Sequence, residues 1–426
     1  MNMVIYMDRF IASGLMPDLQ NDFKMSDSAS GLIYTAFIVS FMLIAPLFGY
    51  LGDRWNRKYI ISVGIFLWTS VTLGMSFIPN QYFLLLIMRG LVGATEASFS
   101  TIAPSIIADL FVADQRSRML SIFYLTIPVG SGLGYIVGPK VTSAANGNWH
   151  WAFRVSPGLG IIGFLLMTIL IKEPPRGAAE GKRTNTSLNA SHWVSDIKTL
   201  FKNPSFMFSS LGYAAVAFVA GAIGLWAPSF LMRARNLTPC QTGPCINNDS
   251  LIFGVLTLIS GILGVIVGVE ISKRCRKFNP RADPIICACG MLGATPFLFL
   301  ALGLAKINLV ATYVFIFIAE TLISLNWAIV TDILLYVVTP TRRSTAQAMQ
   351  IIMSHLLGDA GSPYIIGALA ELIRRGKQES PLIMFNSMEY ALMACGGVVI
   401  IGGLFFTATA LFIVKDRQKA VMESED

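Results

Sequence analysis

Charged side chains are scarce in this sequence. Asp, Glu, Lys and Arg make up 13% of its 426 residues, whereas 54% of the residues are hydrophobic. A soluble globular domain carries about 25% charged residues, so too few charges are present here to cover a water-exposed surface. This composition excludes a soluble enzyme, a nucleic-acid-binding protein and a disordered scaffold. It predicts an all-α membrane protein that crosses the bilayer several times.

Motifs for catalysis and metal binding are also lacking. The chain has three His and six Cys, no H-E-x-x-H or G-x-S-x-G motif, and no Cys/His spacing typical of a metal site. A membrane enzyme that acts on lipids is therefore disfavoured. We expect no enzymatic activity, no metal and no cofactor.

Long apolar runs are abundant instead. A membrane-crossing helix needs about 20 mostly apolar residues, because each residue adds about 1.5 Å against a hydrocarbon core of about 30 Å. Eleven such runs lie near residues 29–50, 59–78, 83–108, 119–140, 152–171, 205–232, 251–272, 284–305, 309–338, 345–371 and 387–414. They predict eleven transmembrane helices.

The first 16 residues are apolar as well, but they contain the charged pair Asp8-Arg9. This pair disfavours a signal peptide because it interrupts the apolar region that such a peptide needs. We interpret residues 1–16 as the end of a twelfth span whose beginning precedes this sequence.

Lys and Arg are unevenly distributed between the loops. With both chain ends in the cytoplasm, the cytoplasmic segments hold 21 of them and the opposite side holds 8. This bias follows the positive-inside rule and accounts for most of the net charge of +8 without a nucleic-acid partner. The loop at 233–250 then lies outside the cytoplasm, where Cys240 and Cys245 can form a disulfide. A metal site there is less favoured because no His is near.

A polar, basic segment divides the spans into two sets of six. We predict an N-terminal helical half over 1–171, a cytoplasmic linker over 172–204, a C-terminal half over 205–414 and a cytoplasmic tail over 415–426. Within the linker, apolar residues at helical spacing over 192–202 predict a short helix on the membrane surface.

The two halves carry related loops. GYLGDRWNRK at 49–58 and GVEISKRCRK at 268–277 match at a constant offset of 219. A duplicated six-helix unit is typical of transporters whose substrate site lies at the midplane between the halves.

Several segments resemble known sequences. GYLGDRWNRK resembles the loop signature of the major facilitator superfamily. Runs that are similar to its spinster family are NMVIYMDRF (2–10), RGLVGATEASFSTIAPSIIADLF (89–111), ADQRSRMLSIFYLTIPVGSGLGYIVG (113–138), WHWAFRVSPGLG (149–160) and NPRADP (279–284). The resemblance covers essentially the whole chain and implies a major facilitator fold.

The resemblance also implies a function. It predicts a monomeric, proton-coupled transporter that exports lysophospholipids, such as lysophosphatidylcholine and lysophosphatidylethanolamine, from the lysosomal lumen to the cytosol by alternating access. Sphingosine-1-phosphate or another amphiphilic lipid is the alternative substrate within the same family.

Charged residues inside spans are costly and are therefore candidates for function. The candidates of this kind are Asp8, Arg9, Arg89, Glu96, Glu320, Asp332, Asp359, Glu371 and His355. From their depths along the helices we predict a contact between Asp8 and Arg89, and a second one between Arg9 and Glu96.

A buried carboxylate that faces an acidic lumen and a neutral cytosol in turn can take up and release a proton. The resemblance points to Asp8, Glu96 and Arg9 as the proton-coupling group, with Arg89 beside them. The alternative is a static ion pair that holds two helices together.

A lysophospholipid offers a phosphate and, in many cases, an amine. Arg9 or Arg89 can bind the phosphate through paired N–H groups, and Glu96 or Asp8 can face the amine. In the resembling family the stretch with His355 and Asp359 faces the cavity, although His355 can equally be a packing residue. Asp359 either orients His355 or bonds to the backbone nearby.

The cytoplasmic motif predicts a gate. Asp53 is expected to meet a helix N-terminus or a basic partner and so to hold the halves together in one state. The residues of the motif are Gly49, Gly52, Asp53, Arg54, Arg57 and Lys58. The alternative is a basic loop that only sets the topology.

Overall fold

The computed structural model describes residues 1–111, 113–170, 193–237, 248–339, 342–378 and 380–425. Within these ranges all regular elements are helices. Eleven helical segments of the described residues are long and apolar enough to cross a membrane, which confirms the predicted number of complete spans. Cys240 and Cys245 lie outside the described residues, so their disulfide stays a prediction.

Contact clustering divides the chain into two compact units. The first comprises Met1–Thr186, Leu225–Ser229 and Ile246–Leu258, and the second comprises Ser187–Gly224, Phe230–Cys245 and Ile259–Asp426. The sequence-based division at the linker stays a prediction.

The helices of the first unit follow the chain order of the apolar runs. They are α1 (Asn2–Gly14), α2 (Met16–Phe23), α3 (Asp27–Arg54), α4 (Arg57–Met75), α5 (Tyr82–Leu110), α6 (Ala113–Ala144) and α7 (Ala152–Leu170). Side chains before the helices supply caps for two of them: Ser26 accepts from the amide of Ala29 (3.3 Å) and Asn56 from that of Tyr59 (3.2 Å). Such caps satisfy amides that the first turn leaves unpaired.

Close packing in the first unit sets the relative positions of its helices. α1 packs on α6, and α5 packs between α3 and α4. Gly93 of α5 faces the backbone carbonyl of Phe37, and a side chain at this position would overlap it. Small residues permit such close helix contacts inside a bilayer.

The helices of the second unit are α8 (Trp193–Phe201), α9 (Pro204–Arg235), α10 (Asp249–Cys275), α11 (Ala282–Leu304), α12 (Leu309–Ser324), α13 (Asn326–Val337), α14 (Arg343–Ser354), α15 (Ser362–Arg374) and α16 (Pro381–Glu425). Part of α9 and the start of α10 cluster with the first unit. α8 confirms the short helix predicted in the linker. α11 packs against α12, α13 and α16.

Two spans that were predicted as continuous helices are interrupted. The run 309–338 breaks at Leu325, where the Asn326 side chain donates to the carbonyl of Ile323 (2.8 Å) and so competes with the helix backbone. The run 345–371 contains a π-helical turn at His355–Asp359, with Gly358 in a non-helical conformation. Glycine tolerates such a conformation, and π-turns are frequent at functional sites.

The predicted cytoplasmic tail begins as helix, because α16 continues to Glu425. Asp416 accepts a hydrogen bond from the amide of Ser205 at the start of α9 (3.0 Å). The guanidinium of Arg417 lies 5.2 Å from the centre of the Tyr336 ring. These contacts attach the extension of α16 to α9 and α13.

Candidate functional site

The centre of the first unit contains a buried ion pair. Arg9 of α1 and Glu96 of α5 are 8% and 1% exposed, and Nη2 of Arg9 lies 2.5 Å from Oε1 of Glu96. This contact confirms the pairing predicted from the helix depths. Because breaking a buried pair leaves an uncompensated charge, the protonation of Glu96 and the surroundings of Arg9 are energetically coupled.

Three aromatic rings surround the Arg9 guanidinium. Its carbon lies 4.8 Å from the ring centre of Tyr6, 4.7 Å from that of Phe37 and 5.6 Å from that of Phe41. We call these rings the aromatic cage. Each ring face attracts the cation and replaces part of its lost hydration. The aromatic cage was not predicted from the sequence. The available signal was helical spacing, because Tyr6 precedes Arg9 by three residues and the two Phe residues are four apart on α3.

Asp8 has a different partner from the one predicted. Its side chain is fully buried, and its Oδ1 accepts a hydrogen bond from the hydroxyl of Ser156 on α7. Arg89 lies within electrostatic range of Asp8 and Glu96, but no ion pair joins Asp8 and Arg89 in the described part of the chain. The predicted direct contact was wrong because equal depth fixes the height of two residues and leaves the rotation of each helix open.

Arg89 keeps donors that its neighbours do not use. Among the described residues its Nε and Nη2 have no protein hydrogen-bond partner, and its guanidinium carbon lies 5.0 Å from the centre of the Phe153 ring. A small cavity of about 10 Å³, the space of about one water molecule, adjoins both arginines, and its lining consists of Arg9, Ala12, Ser13, Met16, Ile33, Tyr34, Phe37, Arg89 and Leu225. Unused guanidinium donors beside a mostly apolar cavity suit an anionic group with an apolar remainder.

Both acids of this centre also keep one oxygen that has no hydrogen-bond partner among the described residues. These atoms are Oδ2 of Asp8 and Oε2 of Glu96. Buried polar atoms normally find hydrogen-bond partners, so the two exceptions require an explanation. A carboxylate oxygen left without a donor is the atom at which a proton can add without displacing another contact.

His355 and Asp359 form a separate pair in the second unit. His355 Nδ1 lies 2.8 Å from Asp359 Oδ1 across the π-turn, which confirms that Asp359 orients His355. Glu320 elsewhere in this unit accepts a hydrogen bond from Ser260 (2.9 Å).

The GYLGDRWNRK motif of the first unit contacts the end of α5. Arg57 Nη1 lies 2.5 Å from Asp109 Oδ2, and a side chain at Gly52 would approach Ile102 to about 3.1 Å. The guanidinium carbon of Arg54 lies 4.2 Å from the centre of the Tyr50 ring.

Three further motif residues were predicted. Gly49 faces Thr101, and Lys58 is half-buried at the start of α4. The side chain of Asp53 lies outside the described part, so its role stays a prediction. Asp109 was not predicted from the sequence. The only feature of the sequence that pointed to an acidic partner was Arg57, with which Asp109 pairs.

The repeated loop of the second unit forms a similar contact. Arg276, which corresponds to Arg57 at the offset of 219, pairs with Asp332 of α13 and with Asp283 (2.9 Å). The Tyr336 hydroxyl donates to Asp283 (2.8 Å). Burial lowers the pKa of Arg276, but the two aspartates outweigh it and hold the pKa above its ordinary value. Each of the two repeated loops therefore carries an arginine that pairs with an aspartate of a later helix, which accounts for Asp332 without a role in transport chemistry.

An all-helical fold of membrane-spanning helices with a buried centre of two acids and two arginines defines a class of protein, the membrane transporters. A sequence family described as the Major Facilitator Superfamily matches residues 1–363. The chain is 61% identical to Protein spinster homolog 1 of Xenopus laevis, over 100% of this chain and 81% of that protein. It is 58% identical to Protein spinster homolog 1 of Homo sapiens, over 98% and 80%. The chain therefore belongs to the spinster family of the major facilitator superfamily.

Two other comparisons extend this result. The chain is 51% identical to the sphingosine-1-phosphate transporter SPNS2 of Xenopus tropicalis, over 98% of this chain and 81% of that protein. A crystal structure of a bacterial homolog to the human lysosomal transporter Spinster matches with a TM-score of 0.84 at 20% identity, over 97% of this chain and 96% of the other. At this identity the match supports the fold alone, and it agrees with the predicted major facilitator fold.

Proposed function

We propose that this transporter exports lysophospholipids from the lysosomal lumen to the cytosol in symport with protons, by alternating access. The observation that carries the proposal is the buried centre of Asp8, Arg9, Arg89 and Glu96, in which two positive charges meet two negative ones. A proton gradient is the driving force, and no other cofactor takes part.

The charge balance of this centre explains the coupling. A proton bound to Glu96 or Asp8 leaves one buried positive charge without compensation, which is unfavourable in a low-dielectric interior. A phosphate group bound to the arginines restores the balance. Proton and substrate anion are therefore favoured together, and each is disfavoured alone.

The substrate fits the same elements. The Nε and Nη2 of Arg89, which no described residue engages, can donate two parallel hydrogen bonds to a phosphate, and the apolar side chains nearby suit the adjoining glycerol and acyl carbons. The amine of an ethanolamine or choline head group is expected to face an acid of the same unit, with Glu96 or Asp8 as candidates. We infer no nucleic-acid partner and a monomeric transporter.

Sphingosine-1-phosphate is the second candidate substrate. It combines a phosphate, an amine and one apolar chain, and the relative SPNS2 is named for its transport. The phosphate contacts proposed for Arg9 and Arg89 apply to both lipids, so the distinction depends on the rest of the head group.

Uptake into proteoliposomes tests the proposal. Labelled lysophosphatidylcholine is presented with and without an inwardly directed proton gradient to wild type, to Glu96→Gln and to the control Glu389→Gln. Glu389 is a buried glutamate of α16 at 4% exposure, outside the proposed centre. We expect gradient-driven uptake in wild type and the control, and gradient-independent or absent uptake in Glu96→Gln.

Two results would contradict the proposal. If wild-type uptake of lysophosphatidylcholine is the same with and without the gradient, the proposed proton coupling is wrong. If wild type takes up sphingosine-1-phosphate and no lysophosphatidylcholine, the proposed substrate is wrong.

The proposed location is the lysosomal membrane, with both termini in the cytoplasm. Epitope tags at each end should be accessible to antibody after selective permeabilisation of the plasma membrane. A tag that requires permeabilised lysosomes would reverse the topology.

A further inference from the structure

Ser156 of α7 is the one hydrogen-bond partner of the Asp8 side chain in the described part of the chain. Both residues have no exposed surface. Ser156 lies next to Pro157 within α7, and α7 packs against α1. The hydroxyl donates to Oδ1, and Oδ2 is left without a protein partner.

This arrangement distinguishes the two oxygens of the carboxylate. A hydroxyl that donates to a carboxylate stabilises its charged form. The contact occupies Oδ1, so a proton adds at Oδ2. After protonation the hydrogen bond from Ser156 to Oδ1 remains, but it is weaker. The reason is that a charged acceptor binds a donor more strongly than a neutral one.

From this geometry we infer that Ser156 is a positioning residue for proton coupling. Its hydroxyl directs the proton to Oδ2 of Asp8 and sets the proton concentration at which half of the Asp8 side chains carry a proton. The inference rests on the proposed function only in taking Asp8 as a proton carrier. It adds a residue on α7 to a centre otherwise built from α1 and α5.

Other charged groups act on Asp8 as well. Arg89 of α5 favours its charged form, Glu96 of α5 opposes it, and Arg9 of α1 is paired with Glu96. Two cations on the remaining packed helices are engaged elsewhere. Arg154 of α7 contacts Ser76 and the rings of Phe77 and Trp151, and Lys140 of α6 lies 3.5 Å from Asn248. Ser156 is therefore the contact that can be changed while the charges around Asp8 stay constant.

The test compares three variants with wild type in the uptake assay across a series of pH values. Ser156→Ala removes the donor, Ser156→Thr keeps it, and Ser131→Ala is the control. Ser131 of α6 is also buried, at 5% exposure, and within the described ranges its hydroxyl bonds only to the Ile127 carbonyl of its own helix (2.9 Å).

We expect half-maximal uptake by Ser156→Ala at about a tenfold lower proton concentration, because a hydrogen bond to a charged group is worth about that factor. Ser156→Thr and Ser131→Ala should keep the wild-type midpoint. A loss of packing alone would lower the amount of active protein without moving this midpoint. A midpoint of Ser156→Ala within twofold of wild type, or equal shifts in the Ala and Thr variants, would overturn the inference.

A second measurement does not need transport. Infrared difference spectra of the purified protein in lipid report the protonated-carboxyl band of Asp8, which is identified by its loss in Asp8→Asn. The band should appear at a lower proton concentration in Ser156→Ala. If wild-type uptake proves independent of pH, the proposed function fails, and this titration still decides whether Ser156 controls the proton on Asp8.

Discussion

The Arg9–Glu96 pair permits a quantitative prediction about stability. Glu96→Leu removes the carboxylate 2.5 Å from the guanidinium and leaves a buried cation that cannot lose its charge. Removing one member of a buried pair typically costs about 3–5 kcal/mol. The aromatic cage still holds Arg9 and contributes about 1–2 kcal/mol, so we expect the low end of this range, about 3 kcal/mol.

The reverse substitution should cost less. Arg9→Met leaves Glu96 buried, but this acid can become neutral by binding a proton. In this variant the folded state binds the proton more tightly than the unfolded state, so its stability is greatest at low pH and falls as pH rises.

A double-mutant cycle measures the interaction. The free energy of unfolding is determined by denaturant titration in detergent micelles for wild type, both single variants and the double variant. The double variant Arg9→Met/Glu96→Leu should recover to within about 1 kcal/mol of wild type, because an apolar pair replaces a charged one. A loss below 1 kcal/mol in Glu96→Leu, or additive losses in the double variant, would refute the reasoning.

Three further predictions concern other parts of the fold. Gly93→Ala should lower the thermal unfolding temperature in detergent, because the new methyl group overlaps a backbone carbonyl of α3, whereas Gly74→Ala has no neighbour within 4 Å and should not. Arg57→Ala breaks the contact with α5 and should slow uptake in proteoliposomes without changing the order of preference among lysophospholipids; an altered preference would place Arg57 in the binding site. Asp416→Ala removes a cap from α9 and should cost about 1 kcal/mol in unfolding free energy, while Glu270→Ala, which breaks an exposed pair, should cost less than about 0.5 kcal/mol. Equal losses in these last two variants would show that the cap contributes nothing.

The helices themselves were predictable from the sequence. Apolar runs of sufficient length identify spans because a helix satisfies its backbone hydrogen bonds locally, whatever its neighbours are. The interruptions at Leu325 and at His355–Asp359 were not predicted from the sequence. Gly358 is one of many glycines, and only its packing in the π-turn distinguishes it from the others.

The buried centre of Asp8, Arg9, Arg89 and Glu96 was predicted in part. The contact of Arg9 with Glu96 followed from the depths of the two residues, because an arginine side chain is long enough to tolerate an error in helix rotation. Asp8 has a short side chain, so its partner depends on the rotation of α1, and that rotation turns it toward Ser156 on α7.

The sequence by itself determined which residues enter the membrane, which loops repeat and which charges are buried at high cost, since hydropathy and chain order decide these properties. Only the tertiary structure decided which side chains meet. It placed three rings around Arg9, gave Asp8 a hydroxyl and left Arg89 with unused donors. The physical reason is that the angle at which each helix faces its neighbours arises from packing among residues far apart in the chain.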